Sequence, residues 1–398
     1  MRRSPLLDRP GASPNAEGDP DELVPAHYGD PLREQGLLES GAGVTALARD
    51  VVAVTGPDRL SWLTTLSSQA LTGLTPDDGG VETLLLDARG RISHALAALD
   101  DAETLWLVTE AGRGPALVEF LERMRFMLRV EVSVRDDVAV VAALGEGLER
   151  LETAISASPA VCLGVWRDPW PGVVEGGTSY DVGLTRAHPG SNYRAGLALV
   201  AEDALGAVVD AFLAVAPERG LAGSSAWEAL RVEAGRPRWA READERAIPH
   251  ELDWLRTAVH LTKGCYPGQE TVARTLNLGK PPRRLAILQL DGLAGALPEP
   301  GAVVRLGERA AGVATSVVRH HDLGPMALAL LRRGVPADAA LAVEVAESTE
   351  GAENTESDGP AVLTRVDAAQ EVLVSPEGRA QASPAERPGA GLRKSLLH

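Results

Sequence analysis

The sequence predicts an α+β core followed by a small β-barrel. Strand-like runs between residues 51 and 144 are joined by hairpin-length turns and interleaved with helices, which argues against a parallel α/β sheet. Beyond Arg283 the texture changes to short apolar segments punctuated by Gly and Pro, as in a small barrel or sandwich. No repeat of 20–50 residues offers a solenoid alternative.

Taken in order, residues 1–26 are rich in Pro, Gly and Asp without periodicity and are expected to form a disordered arm. A core over 27–282 then opens with the strand "VVAVTG", and Pro57-Asp58 lead a helix with Leu60, Leu63, Leu66 and Ala70 on one face. "ETLLLD", "RISHALAAL" and "TLWLVT" read as three strands, residues 116–127 as a helix, and "VEVSVR" and "VAVVAAL" as two more strands. After an irregular Trp/Pro/Gly-rich middle come helices near 202–216 and 225–235, the second with a capping box from Ser225 to Glu228. "LAILQL", "AVVRL", "GVATSVV", "MALALL", "LAVEV" and "AVLTRV" supply the barrel over 283–374, which carries an acidic loop at 344–358. Residues 375–398 are expected to be a disordered tail.

Composition excludes several classes. At 398 residues with 44% apolar and 24% charged residues, the chain has an ordinary globular balance. A formal net charge of -17 argues against direct nucleic-acid binding. The longest apolar runs fall far short of a membrane span, and the N-terminus lacks the apolar stretch of a secretory signal. Two cysteines make no disulfide framework, so a reducing, cytoplasmic location is expected.

No metal site is expected. The only adjacent histidines, His320 and His321, would point to opposite faces of a strand, and Cys-x-x-Cys and His-Glu-x-x-His are absent. P-loop and dinucleotide fingerprints are absent too. The informative stretch is "LTKGCYPGQETVAR". It surrounds Cys265 with a lysine, glycines and a Pro-Gly turn, the setting of an exposed thiol. Lys263 and a following helix N-terminus would both favour the thiolate; the plain alternative is a surface turn with an incidental cysteine. Cys162, inside "AVCLGV", reads as buried packing.

Lys263, Arg274, Lys280, Arg283 and Arg284 face a single acid, Glu270, in that stretch. Such a local reversal suits an anionic ligand with several carboxylates or phosphates, or simply a solvated basic face. In "LRVEAGRPRW", Glu233 sits at a helix C-terminus where a carboxylate opposes the dipole. It either faces a pocket and accepts N–H bonds from a pterin-like edge, or pairs at the surface with Arg231 or Arg236.

"KGCYPGQETVAR" resembles the signature of YgfZ-type folate-binding proteins, relatives of the glycine-cleavage T protein (aminomethyltransferase). "VAVTGPDRLSWLTTLSSQAL", "LLLDARGRI", "LRVEAGRPRW" and "GVATSVVRHHDLGPMALALL" follow in the same order. The resemblance implies an aminomethyltransferase-like folate-binding α+β core with a small C-terminal β-barrel. It also implies bound tetrahydrofolate, polyglutamylated forms included, and iron–sulfur client or assembly proteins as partners, with effects on tRNA modification. It puts the chemistry on Cys265 and Lys263, and folate contacts on Glu233, Arg231, Tyr266, Gly268, Gln269, Glu270 and Arg274. The alternative is a folate-dependent aminomethyltransferase. Against it, His94 and Ala95 stand where that family's paired aspartates would be, and alanine supplies no acid or base.

Overall fold

The computed structural model describes residues 2–181, 183–294, 297–346 and 363–384. Two five-stranded sheets face each other. In the first the order is Val81–Leu86, Ile92–Asp100, Thr104–Glu110, Arg49–Thr55, Glu131–Val134, antiparallel throughout. In the second it is Cys162–Arg167, Ala195–Ala201, Val138–Leu144, Gly43–Leu47, Gly220–Leu221, with only the last pair parallel.

The period-2 geometry of a strand explains the layering. In Val138–Leu144 every residue is buried, so the run is apolar without alternation. Val138, Val140, Ala142 and Leu144 enter the core between the sheets, while Ala139, Val141 and Ala143 enter a second core. Helices Glu146–Ala157 and Leu205–Leu213 cover that second core with Leu151, Ile155, Val208 and Phe212. The first sheet does the same: Val51 and Ala53 face inward, and Val52 and Val54 pack outward on helices Arg59–Leu66 and Gly114–Arg125 through Leu63, Leu117 and Leu121. Burying each such leucine contributes about 1.5–3 kcal/mol. The result is helix, sheet, sheet, helix, with a cavity between the sheets.

The C-terminal unit is a closed barrel in the order Arg283–Leu290, Gly324–Arg332, Arg309–His320, Val303–Leu306, Leu341–Ala346, Leu363–Val372. Ala286, Leu288 and Leu331 fill its interior; Leu285, Ile287, Leu328 and Leu330 point out of it and join the central core. Alternation therefore fastens the barrel to the rest of the chain. The acidic loop expected at 344–358 begins within strand Leu341–Ala346, and its remainder lies outside the described residues.

Several expectations need correction. Residues 2–26 are not a disordered arm: Leu6 and Val24 are buried in the second core, and strand Pro25–His27 pairs with Ser13–Pro14. Of the expected disordered tail, residues 375–384 are packed, Ala380 being buried and Gln381 N–H donating to Ser179 O. The irregular middle contains two strands, Cys162–Arg167 and Ala195–Ala201. Helix Ser224–Glu233 starts one residue early with Gly223 as its cap and no side-chain cap bond. Glu228 is drawn to arginines instead of capping.

Candidate functional site

The Lys263–Arg274 stretch wraps a turn and then a helix. Gly268 adopts φ +80°, and a Cβ there would lie 2.6 Å from Asp87 O and 2.8 Å from Gly90 Cα, so only glycine lets this turn press on the 87–91 hairpin. Helix Gln269–Leu278 starts directly after it. Lys263 does not stand free beside the thiol. Its Nζ donates to Thr64 O and Ser67 O at the C-terminal end of helix Arg59–Leu66 and lies 4.7 Å from the Tyr266 ring centroid. Burial lowers its pKa to about 8 and raises that of Tyr266 to about 12.

Cys265 itself is exposed. Cys162 is exposed as well, contrary to expectation, because it opens an edge strand; neighbouring groups still desolvate its thiol and raise its pKa. Gln269 Nε2 reaches Lys263 O at 3.4 Å, whereas Glu270 and Arg274 form an exposed i,i+4 pair at 2.8 Å. The expected basic cluster does not converge. Arg283 is bound by Asp244 and Glu251, and Arg284 is buried against Val335 O and Gln370.

The arginines that do converge lie between the two sheets. A cavity of about 100 Å³ is lined by Leu47, Ala95, Ala97, Trp166, Leu197, Trp227, Trp239 and Trp254, with Arg49, Arg231, Arg236, Arg238, Glu82, Glu110 and Asp168 among its polar walls. The flat indole walls suit a flat ring, and the charged groups supply edge-on partners. Arg236 donates to Glu82 (2.6 Å) and Asp168 (2.9 Å), while its buried Nη1 has no partner. Glu82 also accepts from Trp254 Nε1 at 2.9 Å and Thr257 Oγ1 at 2.5 Å. Burial raises Asp168 to about 6, against the pull of Arg236. Glu110 behaves in the opposite way: burial would raise it, but Arg238 and Arg49 hold it at about 2.

Arg231, expected at the ligand, does line this cavity, its guanidinium held by Glu228 (2.5 Å), Glu242 (3.1 Å) and Ser316 (2.6 Å). Glu233 does not line it. Its carboxylate lies 3.3 Å from His320 Nε2 on the barrel side of the helix.

Comparison with known proteins adds to this geometry. No family model matches the chain. The tRNA-modifying protein YgfZ of Klebsiella pneumoniae is 27% identical over 259 residues, covering 64% of this chain and 73% of the relative. Its namesake from Edwardsiella ictaluri is 27% identical over 300 residues, covering 73% and 85%. A putative chloroplastic transferase of Arabidopsis thaliana is 38% identical over 98 residues; this chain spans only 21% of that relative. The solved structure of the glycine cleavage system aminomethyltransferase T from Bartonella henselae superposes with a TM-score of 0.68 at 19% identity, covering 94% of this chain and 97% of that one. The chain is thus similar in sequence to the YgfZ proteins and shares the fold of the aminomethyltransferase T structure.

Within that fold, the strand Ile92–Asp100 turns Ala95 and Ala97 to the cavity and His94 to the helix layer, where its ring lies 6.5 Å from Phe120. Burial and Arg113 lower His94 to about 4, so it stays neutral. Ala95 and Ala97 thus leave only methyl groups where this strand meets the cavity.

His320 and His321 also depart from expectation. The strand ends at His320, so the rings come within 4.7 Å, and with Glu39 their ligand atoms lie within 4.8 Å of one another. Yet His320 Nδ1 accepts N–H bonds from Asp322 and Leu323, which leaves the ring proton on Nε2 and removes the lone pair a metal would need there.

Sequence reasoning missed Glu82, Asp168, Arg236 and Arg238. Two of them stand in "GRPRW", whose arginine pair beside a buried helix was the available signal.

Proposed function

We propose that the cavity between the sheets binds a reduced folate and that the protein serves the assembly or maintenance of iron–sulfur enzymes, with tRNA modification affected through such clients. The observation that carries the folate reading is the lining itself: four indoles around a cavity whose buried Arg236 Nη1 lacks a partner, in a chain with the aminomethyltransferase fold. In this reading Trp227 and Trp239 flank the pteridine, and Asp168, Glu82 and Arg236 meet its donor and acceptor edge. Tetrahydrofolate would supply one-carbon carrier chemistry. The residues of the chain bind and orient it and keep water out.

Cys265 is placed outside that cavity lining, on an exposed turn braced by Lys263. An exposed thiol suits contact with a client or a sulfur or iron adduct, and the brace keeps its backbone in one place. The name of the bacterial relatives, tRNA-modifying protein, supports a role upstream of tRNA modification. The aminomethyltransferase alternative is disfavoured by Ala95, since the cavity-facing position of that strand carries no acid or base.

Titration of the purified chain with tetrahydrofolate, followed by a client-activity assay in cells lacking the protein, tests both halves. Saturable binding with restoration of an iron–sulfur enzyme supports the reading; no binding, or turnover in a reconstituted glycine-cleavage reaction, opposes it.

A further inference from the structure

We propose that Arg238 and Arg241 form a subsite for a string of carboxylates, and that Asp21 and Asp19 of this same chain occupy it as an internal competitor. The inference rests on the folate reading and names the part of such a ligand that the expected Lys263–Arg284 cluster does not gather.

Asp21 is 2% exposed, with Oδ2 2.5 Å from Arg238 Nη1 and Oδ1 3.0 Å from Nη2. Asp19, two residues earlier, places its oxygens 2.9 and 2.7 Å from Arg241 Nη2. The Asp21–Arg238 pair, two nitrogens to two oxygens, is the forked geometry by which proteins recognise a carboxylate ligand, and Asp19 adds a second carboxylate on one nitrogen of Arg241. Arg241 also keeps a buried Nε without a hydrogen-bond partner. Its donor set is not exhausted by the arm.

The position of the pair gives it a purpose. Arg231 and Arg238 line the inner cavity, whereas Asp19, Asp21, Glu228 and Arg241 line an outer cleft of about 590 Å³ between the arm, helix Ser224–Glu233 and the barrel. Asp21 and Arg238 therefore stand in the wall between the two spaces. A ligand with its ring in the inner cavity and successive carboxylates running outward would meet Arg238 first and Arg241 second, the order in which Asp21 and Asp19 now meet them. A γ-linked oligoglutamate tail has that chemistry.

The arm is fastened on both sides of these acids. Asn15 Nδ2 lies 2.9 Å from each of Asp21 O, Val24 O and Ser224 Oγ, which share its two protons, and Leu6 and Val24 are buried. Release of the loop between Asn15 and Val24 from its arginines breaks the Asn15–Asp21 bond, while buried Leu6 and Val24 keep the flanking chain docked. Displacement exchanges one carboxylate for another, so the buried guanidinium of Arg238 is never left unpaired.

The test uses full-length protein with tetrahydrofolate as the monoglutamate and the pentaglutamate, and oligo-γ-glutamate without a pteridine as competitor. The pentaglutamate is expected to bind roughly tenfold more tightly than the monoglutamate. Asp19→Asn with Asp21→Asn should widen that ratio, because the competitor is weakened. Arg241→Gln should narrow it. Hydrogen exchange of residues 17–24 should rise on pentaglutamate binding and stay low with the monoglutamate. Equal affinities for both forms, or a ratio and an exchange pattern unaffected by these changes, would overturn the subsite while leaving the folate reading intact. Failure to bind either form overturns the folate reading itself. Should the double Asn variant not fold, Arg241→Gln and the exchange measurement on wild type decide the matter.

Discussion

Lys263 donates its ammonium to the carbonyls of Thr64 and Ser67, so the residue that opens the Lys-Gly-Cys-Tyr motif closes the C-terminal end of a helix 199 residues earlier. A cation at that end meets the helix dipole and satisfies carbonyls that no later turn can reach. The motif is thereby tied to the first sheet's helix layer. Lys263→Met should lower stability by about 1–3 kcal/mol, the cost of buried acceptors left without a donor. Denaturant unfolding checks it, and an unchanged midpoint would contradict the brace.

Gly268→Ala tests the other contact of the motif. With φ at +80° and a new Cβ 2.6 Å from Asp87 O, the turn must lift from the 87–91 hairpin. A loss of about 1–3 kcal/mol is expected, because left-handed strain and a backbone clash act together. Gly264 has open space around a Cβ, so Gly264→Ala serves as the mild control.

Cys265→Ser should leave the melting temperature nearly unchanged, since exposed positions usually move stability by less than about 0.5 kcal/mol. Client-enzyme support in cells should nonetheless be lost. Cys162 is accessible, but its raised thiol pKa should make its alkylation slow at neutral pH and climb as pH rises towards 9 and beyond. Mass spectrometry of alkylated peptides across pH reads both thiols, and rapid neutral-pH labelling of Cys162 would contradict the account.

How much of this could be read from the sequence depended on what each residue answers to. Period-2 alternation and Gly/Pro punctuation marked the barrel and most sheet strands, because a strand's two faces impose that pattern locally. Strand Ala195–Ala201 escaped notice: buried on both faces, it lacks alternation, and its apolar run leads directly into the helical stretch that follows. The folded N-terminal arm escaped for a different reason. Its acids are stabilised by Arg238 and Arg241, more than 200 residues away, and no local pattern reports such pairing. Glu228 likewise looked like a capping residue until Arg231 and Arg238 were found beside it. The exposure of Cys265 was legible from its polar, turn-forming neighbours. Glu233 was placed in the pocket by its motif, although its carboxylate meets the barrel through His320.

Acid should weaken the fold through two buried imidazoles. His94 and His250 are both lowered to about 4 by burial, so each is neutral when folded and protonates near 6.5 when unfolded. Their contribution is complete above about 6.5 and is lost as pH falls towards 4. Thermal melts between these limits should show the decline, and a His94→Gln, His250→Gln double variant should flatten it. A wild-type melting temperature constant from pH 7 to pH 4.5 would be inconsistent with two buried neutral imidazoles.

The most direct test of the central claim is to fill the cavity and measure binding. Ala95 lines it with nothing larger than a methyl group, and Ala95→Phe adds a ring there while leaving Cys265, Lys263 and the Asp21–Arg238 pair untouched. Tetrahydrofolate titration followed by tryptophan fluorescence, with near-UV circular dichroism as the check on folding, should show saturable quenching in wild type and its loss in a folded Ala95→Phe variant. Equal affinity in the two proteins would show that reduced folate does not bind between the sheets.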